Sequence, residues 1–456
     1  MSSTSFSWDY LRGEFSYGFW NVATKLVAAL NTFLVIFSLT IYEYGSFQLL
    51  LASYAGAAVL LSVGGGVVRN DILRFEAKGR SSEAKKLFYE LLSVRIATGV
   101  VLWALVFWGA PLLSFKYGPD YISLVRILSF LFLHDALIAG VMTIIEMRKK
   151  FNAIASRMFI AKAVQLSLLS YFFFFQHVNL RVVVISLVVS MFATLVFLLP
   201  SFFELSAPWR RIKGSSDFFL LKILRSYGKW EILQPIAGKF TSLFEVWAIK
   251  VFISTEAVAI FSIAQILLNT VAGFFPVNTL TTLVPLEAGN EEKLRKIYTY
   301  GTKYLSLLSV FMGIAAFVAV PIIIDMFFNK YIVSLPYFNT LLLTLPILSV
   351  TAVSTVFLIT LRRQKFLFFQ KLLKSIVAVP LYLLLLPAFG LWGLVIQNFI
   401  TLSVMTISLY LYLERTKPKL FVKWYDLIRF GEGDRIFLLN AFSEARMRLF
   451  RKFLRL

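Results

Sequence analysis

Twelve long apolar stretches occupy most of this chain and limit what it can fold into. A helix needs about 20 apolar residues to cross the hydrocarbon core of a bilayer, because each residue advances it by about 1.5 Å. Hydrophobic residues make up 59% of the 456 positions and charged residues 15%, whereas a soluble chain carries about 25% charged residues. The sequence therefore predicts an all-α polytopic membrane protein with twelve transmembrane helices. The predicted spans are 15–39, 46–68, 89–114, 121–145, 158–176, 181–203, 229–253, 257–284, 303–328, 335–361, 372–388 and 391–413.

The distribution of lysine and arginine between these stretches predicts their orientation. Cations are concentrated in the segments that follow even-numbered spans, whereas the segments after odd-numbered spans contain only Lys116, Arg181 and Lys330. Cytoplasmic loops carry the excess of positive charge in membrane proteins. We therefore expect both termini to be cytoplasmic. The formal net charge of +22 then reflects topology and affinity for anionic lipid, and we expect no nucleic-acid partner.

A short motif occurs twice, each time at the start of an apolar stretch. The chain reads SYGFW at 16–20 and SYGKW at 226–230, an offset of 210 that also relates Pro111 to Pro321. Each copy precedes a set of six predicted helices. Because six is an even number, both sets enter the membrane in the same sense, which predicts a parallel repeat about an axis along the membrane normal.

The repeat divides the chain into three predicted parts. Residues 1–206 form an N-lobe of helices 1–6, and residues 207–413 form a C-lobe of helices 7–12. Residues 414–456 form a basic tail in which apolar residues recur at helical spacing. Such a pattern is typical of an amphipathic helix on the cytosolic leaflet, although a disordered basic tail fits the composition as well.

Lysines lie deep within two equivalent helices of the repeat. Lys25 and Lys239 each lie about ten residues after the start of a predicted span. This places each lysine roughly 15 Å into the membrane. Ionisable residues at such depth usually face a cavity or a partner, and surplus cations suit an anionic substrate. The substrate-binding candidates are these two lysines with Lys250, Asn21, Gln265 and Asn269. A purely structural pairing, for example of Lys239 with Glu245, is the alternative.

Acidic and imidazole groups within the spans are candidates for ion coupling. His134 and Asp135 lie in the middle of helix 4, and Glu231 and Glu245 lie in helix 7. They could couple transport to Na⁺ or H⁺, while His134 and Asp135 fit a packed hydrogen-bonded pair equally well. Because cysteine is absent and there are only two histidines, we expect no thiolate or histidine metal site. We expect no cofactor.

Several segments resemble the multidrug/oligosaccharidyl-lipid/polysaccharide (MOP) exporter superfamily, especially its O-antigen and capsular polysaccharide repeat-unit flippases. They are YEYGSFQLL at 42–50, GGGVVRNDILRF at 64–75, AIFSIAQIL at 259–267 and FGLWGLVIQ at 389–397. The resemblance covers residues 10–413. It implies a V-shaped cavity between two lobes. Members of the superfamily often carry arginines as well as lysines in this cavity, whereas the deep cations of this sequence are lysines. The resemblance also implies a lipid-linked oligosaccharide substrate moved to the outer leaflet by alternating access with an ion gradient.

Three other functions remain open at this point. A multidrug or cation antiporter of the same fold would need a cavity with net negative charge. A membrane-embedded glycosyltransferase or polymerase would want a sizeable outward loop with catalytic residues, whereas the predicted outward loops are short. A static scaffold would keep the repeat without transport. We expect a non-enzymatic, monomeric transporter of the cell membrane that contacts lipids and can associate with other polysaccharide-assembly proteins.

The two deep lysines generate a direct test of this interpretation. Lys25→Ala and Lys239→Ala should each slow the translocation of a lipid-linked oligosaccharide in reconstituted vesicles, because each removes a cation that attracts the lipid pyrophosphate. Lys25→Arg should keep part of the activity. Wild-type transport by both alanine variants, at equal protein levels, would contradict a substrate-binding role.

Overall fold

A computed structural model describes residues 3–62, 67–148, 150–212, 218–223, 229–277, 280, 284, 291–361 and 363–416. Within these ranges the regular structure is entirely helical. The helices are α1 (Ser3–Ser38), α2 (Ile41–Ala58), α3 (Val67–Ala77), α4 (Ser81–Gly109), α5 (Ser114–Met147), α6 (Phe151–Phe175), α7 (Leu180–Arg210), α8 (Leu220–Ile223), α9 (Lys229–Phe252), α10 (Thr255–Ala272), α11 (Glu291–Phe327), α12 (Leu335–Leu342), α13 (Leu345–Thr360), α14 (Gln364–Phe389) and α15 (Leu391–Thr416). Short 3₁₀ helices occupy Val59–Ser62, Ala110–Leu113 and Asn329–Ser334.

The prediction of an all-α polytopic membrane protein is confirmed. Ten helices in the described ranges are long and apolar enough to cross a membrane, and an eleventh span results if the bent pair 329–342 and 345–360 is counted as one. The seventh predicted span corresponds to α9, which is 24 residues long. Lys239, Glu245 and Lys250 lie within it, and this charge content sets it apart from the ordinary lipid-facing helices.

The second, eighth and tenth predicted spans differ from the structure in where they end or in their continuity. Hydropathy extends the second span to residue 68, but α2 and its 3₁₀ extension end at Ser62 and a separate helix begins at Val67. It extends the eighth span to residue 284, but α10 ends at Ala272. The tenth span is bent by 56° between α12 and α13. Pro346 lies in the first turn of α13, where a residue without an N–H group is tolerated in a helix.

Local hydrogen bonds explain where α2 begins. The Thr40 side chain accepts from the backbone N–H of Glu43 at 3.2 Å, and the Thr40 backbone N–H donates to Glu43 Oε2 at 3.0 Å. This reciprocal capping box satisfies donors that the first turn of a helix leaves free. It allows α1 and α2 to be joined by only two residues, Leu39 and Thr40.

Contacts divide the chain into two compact units. The first contains the described residues up to 267 together with 319–340 and 364–401, and the second contains the other described residues. In the second unit, paired hydroxyl groups join neighbouring helices, as in the contact of Thr351 in α13 with Thr406 in α15 at 2.7 Å. The predicted lobes, 1–206 and 207–413, and their axis stay predictions, and the tail from residue 417 lies outside the described residues.

A glycine allows close packing between α4 and α5. A Cβ atom at Gly99 would lie 2.7 Å from the Ala136 Cβ atom and 2.9 Å from the Phe132 carbonyl oxygen. Both distances are shorter than ordinary van der Waals contact. The helices can approach each other this closely because position 99 has no side chain.

Gly99→Ala should therefore destabilise the protein by about 1–3 kcal/mol, the usual cost of overpacking. The measurement is the thermal unfolding midpoint of the purified protein in detergent. Gly109→Ala is the matched control, because a Cβ atom there meets nothing within 4 Å. Its midpoint should stay unchanged or rise slightly, since alanine favours helix. An equal loss in both variants would contradict the packing argument.

Candidate functional site

Three arginines and two carboxylates line a cavity within the first unit. The cavity has a volume of 530 Å³ and its lining includes Arg69, Arg95, Arg157, Asp135 and Glu146. We call it the arginine cavity. Its volume lies within the range of about 300–1,000 Å³ that is typical of small-molecule sites. Positive groups exceed negative groups by one, so the cavity favours an anion.

The charged side chains of the arginine cavity come from four helices of the bundle. Arg69 lies in α3, Arg95 in α4 and Arg157 in α6. Asp135 and Glu146 are eleven residues apart on α5, three helical turns, so both carboxylates lie on one face. The lining also includes a residue of α9, Pro235, from the second half of the sequence.

Only part of the positive charge in the cavity is neutralised by described residues. Arg69 Nη1 forms an ion pair with Glu146 Oε2 at 3.1 Å. The Nε atoms of Arg95 and Arg157 are buried and make no hydrogen bond to the described part of the protein, and Arg95 as a whole is only 7% exposed. A buried donor without a partner is costly. The lining of three guanidinium groups and two carboxylates leaves one positive charge that an anionic ligand would neutralise.

A chain of hydrogen bonds runs from the cavity wall into the bundle. Tyr54 donates to Asp135 Oδ2, and Asp135 Oδ1 lies 2.9 Å from His134 Nδ1. His134 is fully buried, and its Nε2 atom lies 3.5 Å from Thr194 Oγ1. The Asp135 side chain is 39% exposed, so it is the accessible end of this chain.

An apolar cavity lies on the other side of Tyr54. It has a volume of 220 Å³, and Leu50, Val125, Leu128 and Phe132 are among its lining residues. Tyr54 lines this cavity, whereas Asp135 lines the arginine cavity. The hydrogen bond from Tyr54 to Asp135 therefore connects a residue that lines the apolar cavity with one that lines the arginine cavity.

The predicted substrate-binding residues of α1 and α9 lie elsewhere. The side chains of Asn21, Lys25 and Lys239 are exposed, and none of them is among the residues that line the arginine cavity. Lys250 donates to Thr255 Oγ1 at the start of α10. The substrate role of these residues stays a prediction.

Glu245 forms a polar cluster with Gln265 and Tyr382. Gln265 donates to Glu245 Oε1, and Tyr382 donates to Glu245 Oε2 at 2.6 Å. Both oxygens of the Glu245 carboxylate therefore accept hydrogen bonds from α10 and α14. The structure does not pair this carboxylate with Lys239, which was the alternative. Asn269 is exposed. The Glu231 side chain lies outside the described part of the structure.

Sequence reasoning missed the three arginines because it assigned them to loops or to the membrane surface. Arg69 follows the predicted end of span 2, Arg157 precedes the predicted start of span 5, and Arg95 lies only about two turns into span 3. In the structure Arg69 lies in a separate helix, α3, while α4 and α6 begin several residues before the predicted spans, at Ser81 and Phe151. All three arginines are therefore within the bundle. The eleven-residue spacing of Asp135 and Glu146 is the one sequence signal that could have located this site.

Asp135, Glu146 and the other acidic and imidazole side chains in the described ranges do not gather into a metal-binding group. No set of three or more His, Asp or Glu residues there could hold a metal ion.

Comparison with known proteins identifies the fold. No protein-family model matches the chain, and no curated protein sequence matches it. An inward-facing multidrug resistance MATE family transporter of the MOP superfamily is similar in structure, with a TM-score of 0.69 and 16% identity, covering 87% of this chain and 95% of the transporter. The lipid II flippase MurJ in an inward closed conformation has a TM-score of 0.67 and 12% identity, covering 93% of this chain and 92% of MurJ.

A third similar structure is an outward-facing multidrug resistance MATE family transporter of the MOP superfamily. Its TM-score is 0.65 and its identity 16%, covering 90% of this chain and 96% of the transporter. The likenesses extend over nearly the whole of each chain. The chain therefore has the fold of MOP superfamily transporters, as the sequence resemblance predicted.

Proposed function

We propose that this protein is a flippase that moves an anionic lipid-linked oligosaccharide, joined to polyprenyl pyrophosphate, from the cytoplasmic to the outer leaflet. Movement follows alternating access, in which the site opens to one side of the membrane at a time. The MOP fold supports a transporter or flippase in general. The anionic substrate class rests on the arginine cavity.

The surplus of guanidinium groups in that cavity is the observation that carries the proposal. Arginine presents several donors in a planar fork that matches phosphate oxygens. Arg95 and Arg157 have buried Nε donors without partners among the described residues. A pyrophosphate group would offset the net positive charge of the cavity, while the sugar occupies water-filled space and the polyprenyl chain stays in lipid.

Asp135 and His134 are our candidates for ion coupling. Asp135 lines the arginine cavity, so its charge acts directly on a headgroup bound there. Both of its oxygens already contact Tyr54 and His134, and a nitrogen atom is a poor ligand for Na⁺, a hard cation that prefers oxygen. A proton therefore suits this pair better than Na⁺ does.

A multidrug or cation antiporter of the same fold is the second candidate, and the likeness to MATE transporters favours it. A cationic drug would meet net repulsion in the arginine cavity, which is why we rank this function lower.

We propose a non-enzymatic transporter of the cell membrane with both termini cytoplasmic. Its partners would be the lipid-linked oligosaccharide, membrane lipids and other polysaccharide-assembly proteins.

Binding of inorganic pyrophosphate tests the anionic substrate class without knowledge of the sugar. The purified protein in nanodiscs should bind pyrophosphate in titration calorimetry, and Arg157→Gln should weaken binding by about tenfold or more. The reason is that a hydrogen bond to a charged group contributes about 1.5–3 kcal/mol.

The matched control for this experiment is Arg210→Gln. Arg210 is an exposed arginine at the end of α7 and does not line the arginine cavity, so its removal should leave binding unchanged. Absence of pyrophosphate binding to the wild type, or equal loss in both variants, would exclude the proposed headgroup site.

A further inference from the structure

Lys330 is a lysine that the function proposed above leaves unused. Its Nζ atom donates to the backbone carbonyl oxygens of Phe37 at 2.9 Å and Leu39 at 2.6 Å. These residues flank Ser38, the last residue of α1. The final carbonyl groups of a helix have no partner within the helix and form the negative end of its dipole. Lys330, from the segment after α11, therefore caps α1.

The neighbours of Lys330 are packed against the same helices. Tyr331 is fully buried, and its ring lies edge-on to that of Tyr44, with 6.0 Å between the ring centroids. Phe328 makes a similar contact with Phe33 of α1 at 5.1 Å. The segment after α11 thus joins the end of α1 and the start of α2 through aromatic contacts as well as through the Lys330 cap.

A second contact at this end of the bundle leaves no space between the helices. A Cβ atom at Gly45 in α2 would lie 2.0 Å from the carbonyl oxygen of Thr255, which begins α10. Only glycine permits so close an approach. Residues from the first and second halves of the sequence are therefore in direct contact here.

The core clusters toward the other end of the bundle are formed by different helices. The core cluster around Tyr44 and Tyr331 includes residues of α1, α2, α10 and α11. The clusters around Phe88 and around Ile145, by contrast, contain in the described ranges only residues of 68–223. In the described part of the first unit, Lys330, Phe328 and Tyr331 therefore join the two halves of the sequence at one end of the bundle, and the arginine cavity lies toward the other end.

We propose that Lys330 is a latch that holds the outer end closed. The outer end is the one where α1 ends and α2 begins, which the charge distribution places away from the cytoplasm. For the bundle to open outward, Lys330 must leave the carbonyl groups of Phe37 and Leu39. Because Lys330 is exposed, water can solvate its ammonium group on release, and the latch is reversible. This inference rests on the proposed alternating access.

The absence of cysteine makes a labelling experiment direct. Ser46 is 5% exposed and follows Gly45 in the closed contact, so Ser46→Cys reports opening of the outer end. The variant is reconstituted in vesicles and treated with a membrane-impermeant maleimide on one side at a time. Adding Lys330→Gln should raise the initial labelling rate from the outer side by about three- to tenfold, because the closed state loses a charge-assisted hydrogen bond.

Two further variants separate the latch from general effects. Arg181→Gln removes the same charge from an exposed residue of α7 that is predicted to face the same side, and it should leave the rate unchanged. Gly45→Ala should also raise the labelling rate without any change in charge, because the added Cβ atom does not fit against the Thr255 carbonyl oxygen in the closed contact.

An unchanged rate with Lys330→Gln, or an equal rise with Arg181→Gln, would overturn the latch. Since labelling needs no substrate, such a result would leave pyrophosphate binding to the arginine cavity intact. Conversely, a protein that opens as expected but binds no pyrophosphate would refute the proposed substrate and keep the latch.

Discussion

Polar groups cannot remain unpaired in hydrocarbon, and most of this structure follows from that constraint. Backbone N–H and C=O groups find partners within helices, so the described membrane segments are helical throughout. Charged side chains must face one another, a cavity or an interface. Within the bundle, Glu146 neutralises Arg69, and Tyr54 together with His134 satisfies Asp135. Arg95 and Arg157 have Nε donors without partners among the described residues, and these donors mark the arginine cavity.

The same constraint explains which features the sequence could predict. Hydropathy locates the apolar segments because lipid demands about 20 apolar residues per crossing. It misplaces the ends of helices because α3 and the start of α6 contain polar residues. These residues lie in protein and not in lipid, so a count of apolar residues does not include them in a span. The bend between α12 and α13 is not revealed by an apolar count, which runs through residues 335–361 without a break. Hydropathy therefore assigns Arg69 and Arg157 to loops, although both line the cavity.

Local sequence is informative about single residues but not about their partners. Adjacency alone indicates a pair of His134 and Asp135, and the structure adds Tyr54 and Thr194 from α2 and α7. Glu245 contacts Gln265 and Tyr382, although its own helix offers Lys239 as a partner. Long-range contacts of this kind depend on how helices pack, and one sequence without its fold does not specify them. The same holds for Lys330, whose partners lie 291 and 293 residues away.

The central proposal is that the arginine cavity receives a phosphate-bearing headgroup from the side that the charge distribution predicts to be cytoplasmic. Ala139 lines this cavity, so Ala139→Cys places a single thiol inside it. The decisive measurement is the rate at which an impermeant maleimide labels this thiol from each side of the membrane, with and without inorganic pyrophosphate. Our account predicts labelling from the cytoplasmic side, protection by pyrophosphate, and loss of protection when Arg157→Gln is added. Labelling that pyrophosphate does not slow, or labelling from the outer side alone, would contradict it.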